Sequence, residues 1–146
     1  MIITHDFHVH TNLSLCAKPE ATLSMYAQKA KQMGIMKMAI TNHMWDHAVL
    51  DWRREENIED YQVQDFPYVS TIRKEIEAFN RQNTHFLFGC EAEYSFEHRR
   101  PAISPAVAEQ MEVLLVPNSH THLTMPKSYY EPHRKHIEYM INAFMD

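Results

Sequence analysis

The apolar residues of this chain fall into short, separate segments whose spacing alternates between the two kinds of regular structure. In "MIITHDFHVH", Ile2, Ile3, Phe7 and Val9 suit a pleated surface, and the segment predicts a strand running into a loop. In "TLSMYAQKAKQMG", Leu23, Tyr26, Ala27, Ala30 and Met33 recur at helical spacing, with Thr22 placed as N-cap and Gly34 as the terminating residue. "IMKMAIT" is mostly apolar, as expected of a strand buried on both faces. Residues 45 to 67 are charged and aromatic with weak periodicity, and predict a long loop holding at most one short helix. Val69, Ile72, Ile76 and Phe79 then form a clean helical stripe. "HFLFGCEAEY" predicts a third strand, "SPAVAEQM" a short helix capped by Ser104 with Pro105 in its first position, and "EVLLVPNSH" a fourth strand. The last segment, "EPHRKHIEYMINAFMD", predicts a helix with Ile137, Met140, Ile141 and Phe144 on one face.

The predicted order is therefore β-α-β-loop-α-β-α-β-α. Strands alternating with helices argue for a parallel sheet with helical crossovers, hence an α/β fold. No repeat, low-complexity tract or Pro/Gly-rich linker divides the 146 residues, and a single domain over 1–146 is expected. The chain ends in or just after an amphipathic helix with no strand to follow, so the domain is expected to be C-terminally incomplete, with an open sheet edge that makes a homo-oligomer an expectation too.

Composition narrows the function. The net charge of −5 argues against sequence-independent binding to nucleic acid, which calls for a basic stripe. It leaves room for an anionic substrate, because bound divalent metals invert the local field. Two cysteines do not make a disulfide framework, the N-terminus lacks the features of a signal peptide, and no apolar run approaches the ~18 residues that span a bilayer. A cytoplasmic protein with reduced thiols and no membrane partner is expected. The unusual residue is histidine. Eleven in 146 is well above the roughly 2–3% of ordinary proteins.

Their placement carries the chemistry. His8 and His10 lie at the end of the first predicted strand, His43 after the second, Glu91 and Glu93 at the end of the third, and His120 and His122 after the fourth. In α/β folds the loops beyond the carboxyl ends of the strands build the active site, so four strands in succession deliver ligand-type residues to one rim. Residues two apart on a strand share a face, so His8 and His10 are placed to grip one ion. Imidazole suits zinc, iron and manganese, and a carboxylate such as Glu91 can bridge two ions.

Plainer roles suit other residues. His5 and His85 read as ordinary strand residues and His98, beside two arginines, as a surface histidine. His133 and His136, in the first turn of the last helix, read as solvent-facing, with a metal role for either as the lesser alternative. Cys90 reads as a small buried hydrophobe, and the ten methionines as core filler. Residues 51 to 60 form a mixed-charge, solvated run.

The stretches "DFHVHTNLSLC", "AITNH", "GCEAEY" and "EVLLVPNSHTH", in that order and spacing, resemble the polymerase and histidinol phosphatase (PHP) family. The resemblance implies a partial (β/α) barrel of the PHP type, about four or five of its seven β/α units, with two or three divalent metals (zinc, manganese or iron) at the C-terminal rim. It implies a metal-dependent phosphoesterase that hydrolyses a phosphate ester with a metal-activated water, the substrate being a small phosphorylated compound. His8 and His10 would bind the first metal, Glu91 would bridge the first and second, His120 or His122 would bind the second, and His43 the third. Glu91 and His43 are the residues expected to carry catalysis. The family usually places aspartate or histidine at the position of Cys16, whose thiolate is a zinc ligand in its own right. It often has aspartate where this chain has Asn42, which orients by hydrogen bonding without adding charge. Later family strands carry a histidine and a closing Asp-x-His pair that this chain lacks, which is compatible with a fragment, a partner-completed site or a degenerate domain.

Two other classes compete: a non-catalytic or degenerate metal-binding module, favoured by the missing late ligands, and an amidohydrolase-like C–N hydrolase, which shares the opening HxH. The second usually needs a lysine at a middle strand end, and none stands there. No GxSxG elbow supports a serine or cysteine nucleophile. His47, Arg53 and Arg54, in the long loop, are candidates to reach a phosphate, and Glu93 is a candidate for a supporting position behind Glu91 or for an arginine partner.

Overall fold

The computed structural model describes residues 4–49, 63–81, 85–95, 98–117 and 133–145. Four strands, β1 (His5–Val9), β2 (Lys37–Met44), β3 (His85–Ala92) and β6 (Val113–Leu115), form a sheet in the order β1-β2-β3-β6, every pair parallel. Sequential parallel neighbours need crossover connections, and α1 (Leu23–Met33) supplies the first. The second contains α2 (Phe66–Val69), a 3₁₀ turn (Ser70–Ile72) and α3 (Arg73–Asn80), and the third α4 (Pro105–Ala108). The result is the expected partial β/α barrel. The last helix, α5, spans His133–Met145.

Local chemistry explains the boundaries. The Thr22 side chain accepts a hydrogen bond from the Met25 N–H, and Gly34 ends α1 in the left-handed region at φ 73°. Asp65 caps α2 by accepting from Tyr68 N–H. Pro105 opens α4 in its first turn, but Ser104 caps it by backbone conformation alone, without a side-chain bond. The single stripe predicted for 69–79 is real, with Val69, Ile72 and Ile76 buried and Phe79 partly so, although the helix that carries it is interrupted by the 3₁₀ turn.

The core lies between the sheet and these helices. Met38, Ile40 and Met44 from β2 and Phe86, Phe88 and Cys90 from β3 are buried with Leu23, Ala30 and Ile76. Burying a side chain such as Phe86 is worth ~2–3 kcal/mol. Asn80 locks α3 to β3, accepting from Phe86 N–H at 2.7 Å and donating to Phe86 carbonyl oxygen at 2.8 Å. The Arg73 guanidinium lies over the Phe88 ring, 4.3 Å from its centre.

Three expectations change. β2 runs on through Asn42, His43 and Met44, because the ladder with β3 continues to Met44 opposite Ala92; His43 is on the strand, not beyond it. β3 stops at Ala92, and Tyr94–Ser95 (β4) instead pairs antiparallel with Arg100–Pro101 (β5), so Glu93 sits at a break between two sheets. Met33, in the final turn of α1, is exposed although it continues the stripe of Leu23 and Ala30; Ile137 and Ile141 on α5 are exposed as well. Among the described residues, no helix is long and apolar enough to cross a membrane.

The two glycines of the chain do different work. Gly34 holds a positive φ, whereas Gly89 lets β6 close on β3, since a Cβ there would run into the carbonyl of Val113 and stand 3.1 Å from Thr41 Cγ2. Gly34→Ala is expected to cost about 1 kcal/mol. Gly89→Ala is expected to cost more, ~2–3 kcal/mol, because backbone must move. Urea unfolding midpoints of the two variants check this ordering.

Candidate metal centre

Glu91 stands near the C-terminal end of β3 and is only 1% exposed. A carboxylate there needs compensation, and histidines supply it. His43 is its register partner across the β2–β3 ladder, so both side chains rise from one place on the sheet; His43 Nδ1 lies 3.1 Å from Glu91 Oε2. From β1 and the residue just past it, His8 Nε2 and His10 Nε2 approach the same oxygen at 3.2 and 2.8 Å. The rings pack against one another, His8 to His10 at 5.0 Å between centres and His10 to His43 at 4.4 Å. Solvent reaches them unequally: the side chain of His8 is 55% exposed, against 16% for His10 and 14% for His43.

The charge state of Glu91 follows from these neighbours. Burial alone pushes its carboxyl upward. Contacts from His10 and His8 and the charge of His43 and His10 outweigh burial and hold it at about 2, below its ordinary 4.5. Cys90, one residue earlier, is pushed up to about 12 by burial and then by the charges of Asp46 and Glu91, so it stays a neutral thiol in the core.

A second layer of polar groups fixes the loop from His10 to Cys16 on the end of β2. Thr11, Ser14 and Asn42 are fully buried. Asn42 Oδ1 accepts from Thr11 N–H at 2.7 Å and from the Ser14 hydroxyl at 3.1 Å, and its Nδ2 donates to Thr11 Oγ1 at 3.0 Å. Ser14 Oγ in turn accepts from His43 N–H at 3.1 Å. Gln64 closes the loop from outside, accepting from Leu15 N–H at 2.8 Å and donating to the His43 carbonyl at 3.3 Å. Tyr26 on α1 donates to the His10 carbonyl at 2.8 Å. Each such bond nets ~1 kcal/mol, and orphaning a buried member costs ~1–3. Cys16 is thereby held with its sulfur 3.2 Å from His10 Nδ1.

Two groups of ligand atoms result, His8–His10–Glu91 and His10–Cys16–His43, the atoms within each lying no more than 4.8 Å apart. Imidazole nitrogen, carboxylate oxygen and thiol sulfur are donors for divalent transition metals, and the buried carboxylate gives the group the negative charge a cation needs. Next to them opens a cavity of about 550 Å³, whose wall includes His8, His10, Cys16, Lys18 and Tyr26. This is a size suited to small-molecule ligands.

Of the residues singled out in the sequence, His8, His10, Cys16, His43 and Glu91 come together. His120, His122, Arg53 and Arg54 lie outside the described residues. His47 is partly buried after β2, and Glu93 is buried at the sheet break, its backbone carbonyl accepting from Ala102 N–H at 2.6 Å. His5, His85 and His98 are exposed, as expected; His136 is half-buried rather than solvent-facing. Of the positioning layer, sequence reasoning singled out Asn42 alone. Thr11 and Ser14 stood inside the first motif, but Gln64 lies in the charged segment without any signal.

The sign of the pH response follows from Glu91. In the metal-free protein its lowered value adds stability that is complete above the ordinary 4.5 and is lost as pH falls from there toward 2, where the unfolded chain has already taken up the proton. Unfolding midpoints of wild type and Glu91→Gln between pH 6 and pH 3 are expected to converge as acid is added. Alkylation at pH 8 is expected to label Cys16 in the native protein and Cys90 only after unfolding, read by peptide mass.

Comparison with known proteins agrees with the arrangement. No curated protein matches the chain significantly. The family model described as the PHP domain matches residues 6–145, from the strand that bears His8 to the last helix. That match covers nearly the whole chain and takes in both clusters of ligand residues on the sheet rim, so this protein belongs to the PHP domain family.

Proposed function

We propose that the chain is a metal-dependent phosphoesterase that hydrolyses a small phosphorylated compound. The observation that carries this reading is the convergence of three imidazoles on one buried carboxylate oxygen at the rim of a PHP-family sheet. Burying a carboxylate is costly compared with apolar packing, and with three imidazoles on one of its oxygens it forms a ready donor set for a cation.

His8, His10 and Glu91 would hold one divalent ion, with His43 and Cys16 beside it, and His120 or His122 would add to the centre. Zinc, manganese and iron all suit nitrogen and carboxylate donors. When bound, such ions supply Lewis acidity toward phosphoryl oxygens and make a water acidic enough to react near neutral pH. The chain's own residues then have distinct tasks. Glu91 supplies negative charge and aims three rings. Asn42, Ser14 and Gln64 keep the loop of Cys16 and the backbone of His43 in register, so the ligands need little rearrangement. Lys18, on the wall of the adjoining cavity, offers an ammonium to an anionic group of the substrate. Function in the cytoplasm, and as a homo-oligomer, belongs to the same proposal.

The test is metal content together with hydrolysis of a generic aryl phosphate, with a cyclic amide as the rival substrate. Expected are at least one equivalent of metal, phosphatase activity lost on chelation and restored by manganese or zinc, and a fall of more than about 100-fold in His10→Ala. Metal without any phosphatase activity would favour the non-catalytic module, and turnover of the amide alone a C–N hydrolase.

A further inference from the structure

We propose that the cavity beside the metal centre receives the leaving group of the substrate, and that Asp6, Lys18 and Glu20 on its wall select the phosphate ester of a polyhydroxylated carbon chain, such as a polyol or sugar phosphate. The inference rests on the phosphoesterase reading above and names the class of alcohol released.

Position comes first. His8, His10 and Cys16 belong to the two groups of donor atoms, and all three also line the cavity of about 550 Å³. The carbon chain of an ester whose phosphoryl group is held by those donors therefore has this cavity beside it. The wall is already in place. The segment that supplies Lys18 and Glu20 is tied by its own backbone: Ala17 N–H donates to the Ser14 carbonyl at 2.9 Å, Ala21 N–H to the Lys18 carbonyl at 3.0 Å, and Thr22 N–H to the Glu20 carbonyl at 2.8 Å. Asn12 N–H closes the turn on the Ala21 carbonyl at 2.8 Å. A ligand then meets a wall that needs little ordering.

The polar groups of the wall are available to a ligand. Lys18 and Glu20 carry opposite charges two residues apart, yet among the described residues neither side chain has a hydrogen-bond or ion-pair partner. Asp6 gives one carboxylate oxygen, Oδ1, to the His8 N–H at 3.1 Å and keeps Oδ2. Val9, buried, and Met25, half-buried, supply an apolar ledge on the same wall.

Hydrogen-bond chemistry then chooses among substrates. Carboxylates only accept, an ammonium only donates, and a hydroxyl does both. A substrate amine would match Asp6 and Glu20 but meet the like charge of Lys18. A second anionic group would match Lys18 but meet two carboxylates. Hydroxyls on successive carbons satisfy both kinds of group, with their C–H edges against Val9 and Met25. Lys18 has three N–H donors, enough for an anionic oxygen and a hydroxyl together.

Three esters with the same three-carbon leaving group test this: glycerol phosphate, propyl phosphate and aminopropyl phosphate. Their hydrolysis by the manganese-loaded full chain is compared. Expected is a kcat/KM for glycerol phosphate at least about tenfold above that of either other ester, with the difference residing in KM. The ratio of glycerol to propyl ester falls to within about threefold of unity in Glu20→Ala and in Lys18→Met. It falls in Asp6→Asn as well, whose amide oxygen still accepts from the His8 N–H. Because both esters use the same metal centre, the ratio cancels any effect of a variant on that centre. Equal rates for the three esters, a preference for the amine, or a preference for glycerol phosphate that the variants leave intact overturns the inference while the phosphoesterase reading stands. So does hydrolysis of the generic aryl phosphate without hydrolysis of any of the three. Hydrolysis of no phosphate ester overturns both.

Discussion

Burying Glu91 is the constraint around which this molecule is arranged. A carboxylate that is 1% exposed would take up a proton or unfold its surroundings unless positive or proton-donating groups faced it. Three histidines do so, and they come from three different positions in the chain, each brought near by a strand of one parallel sheet. The cluster therefore exists only when β1, β2 and β3 are paired in their observed register. Slipping β2 by one residue against β3 would turn His43 away from Glu91 and set Asn42 or Met44 opposite it.

A second set of buried polar groups protects that register. The Asn42 amide, Thr11 and Ser14 knit the loop after β1 to the end of β2, and Gln64 reaches in from the next connection. Charge is absent from this layer, which suits its place directly under the ligands: a further carboxylate would compete for the same cation, whereas an amide orients without competing. The apolar packing of Ile40, Phe86, Phe88 and Ile76 adds its stability to the modest net gain of these satisfied polar groups.

The geometry gathers candidate donors, a thiol among them, at the rim where the strands end. Cys16 and Cys90 illustrate how position decides what a thiol does. The one is exposed on a loop beside an imidazole, and the other is sealed in β3, where burial holds its proton on.

Much of this was legible beforehand. Apolar spacing located the four sheet strands and the helices between them, because burial of one or both faces imposes a period on the sequence. Histidines gathered at strand ends marked the rim, and the order of the motifs identified the family. The sequence by itself singled out His8, His10, Cys16, His43 and Glu91, which the structure brings together. It did not determine where elements stop: β2 absorbs His43 and β3 ends before Glu93 because hydrogen-bonded partners across the sheet, not local propensity, set strand ends. Nor did it reveal that Gln64 serves the site, that Ile137 and Ile141 stand exposed, or that the two nitrogens of His10 face different ligands. Those facts depend on contacts between residues far apart in the chain, and only the tertiary structure brings such residues within reach of one another.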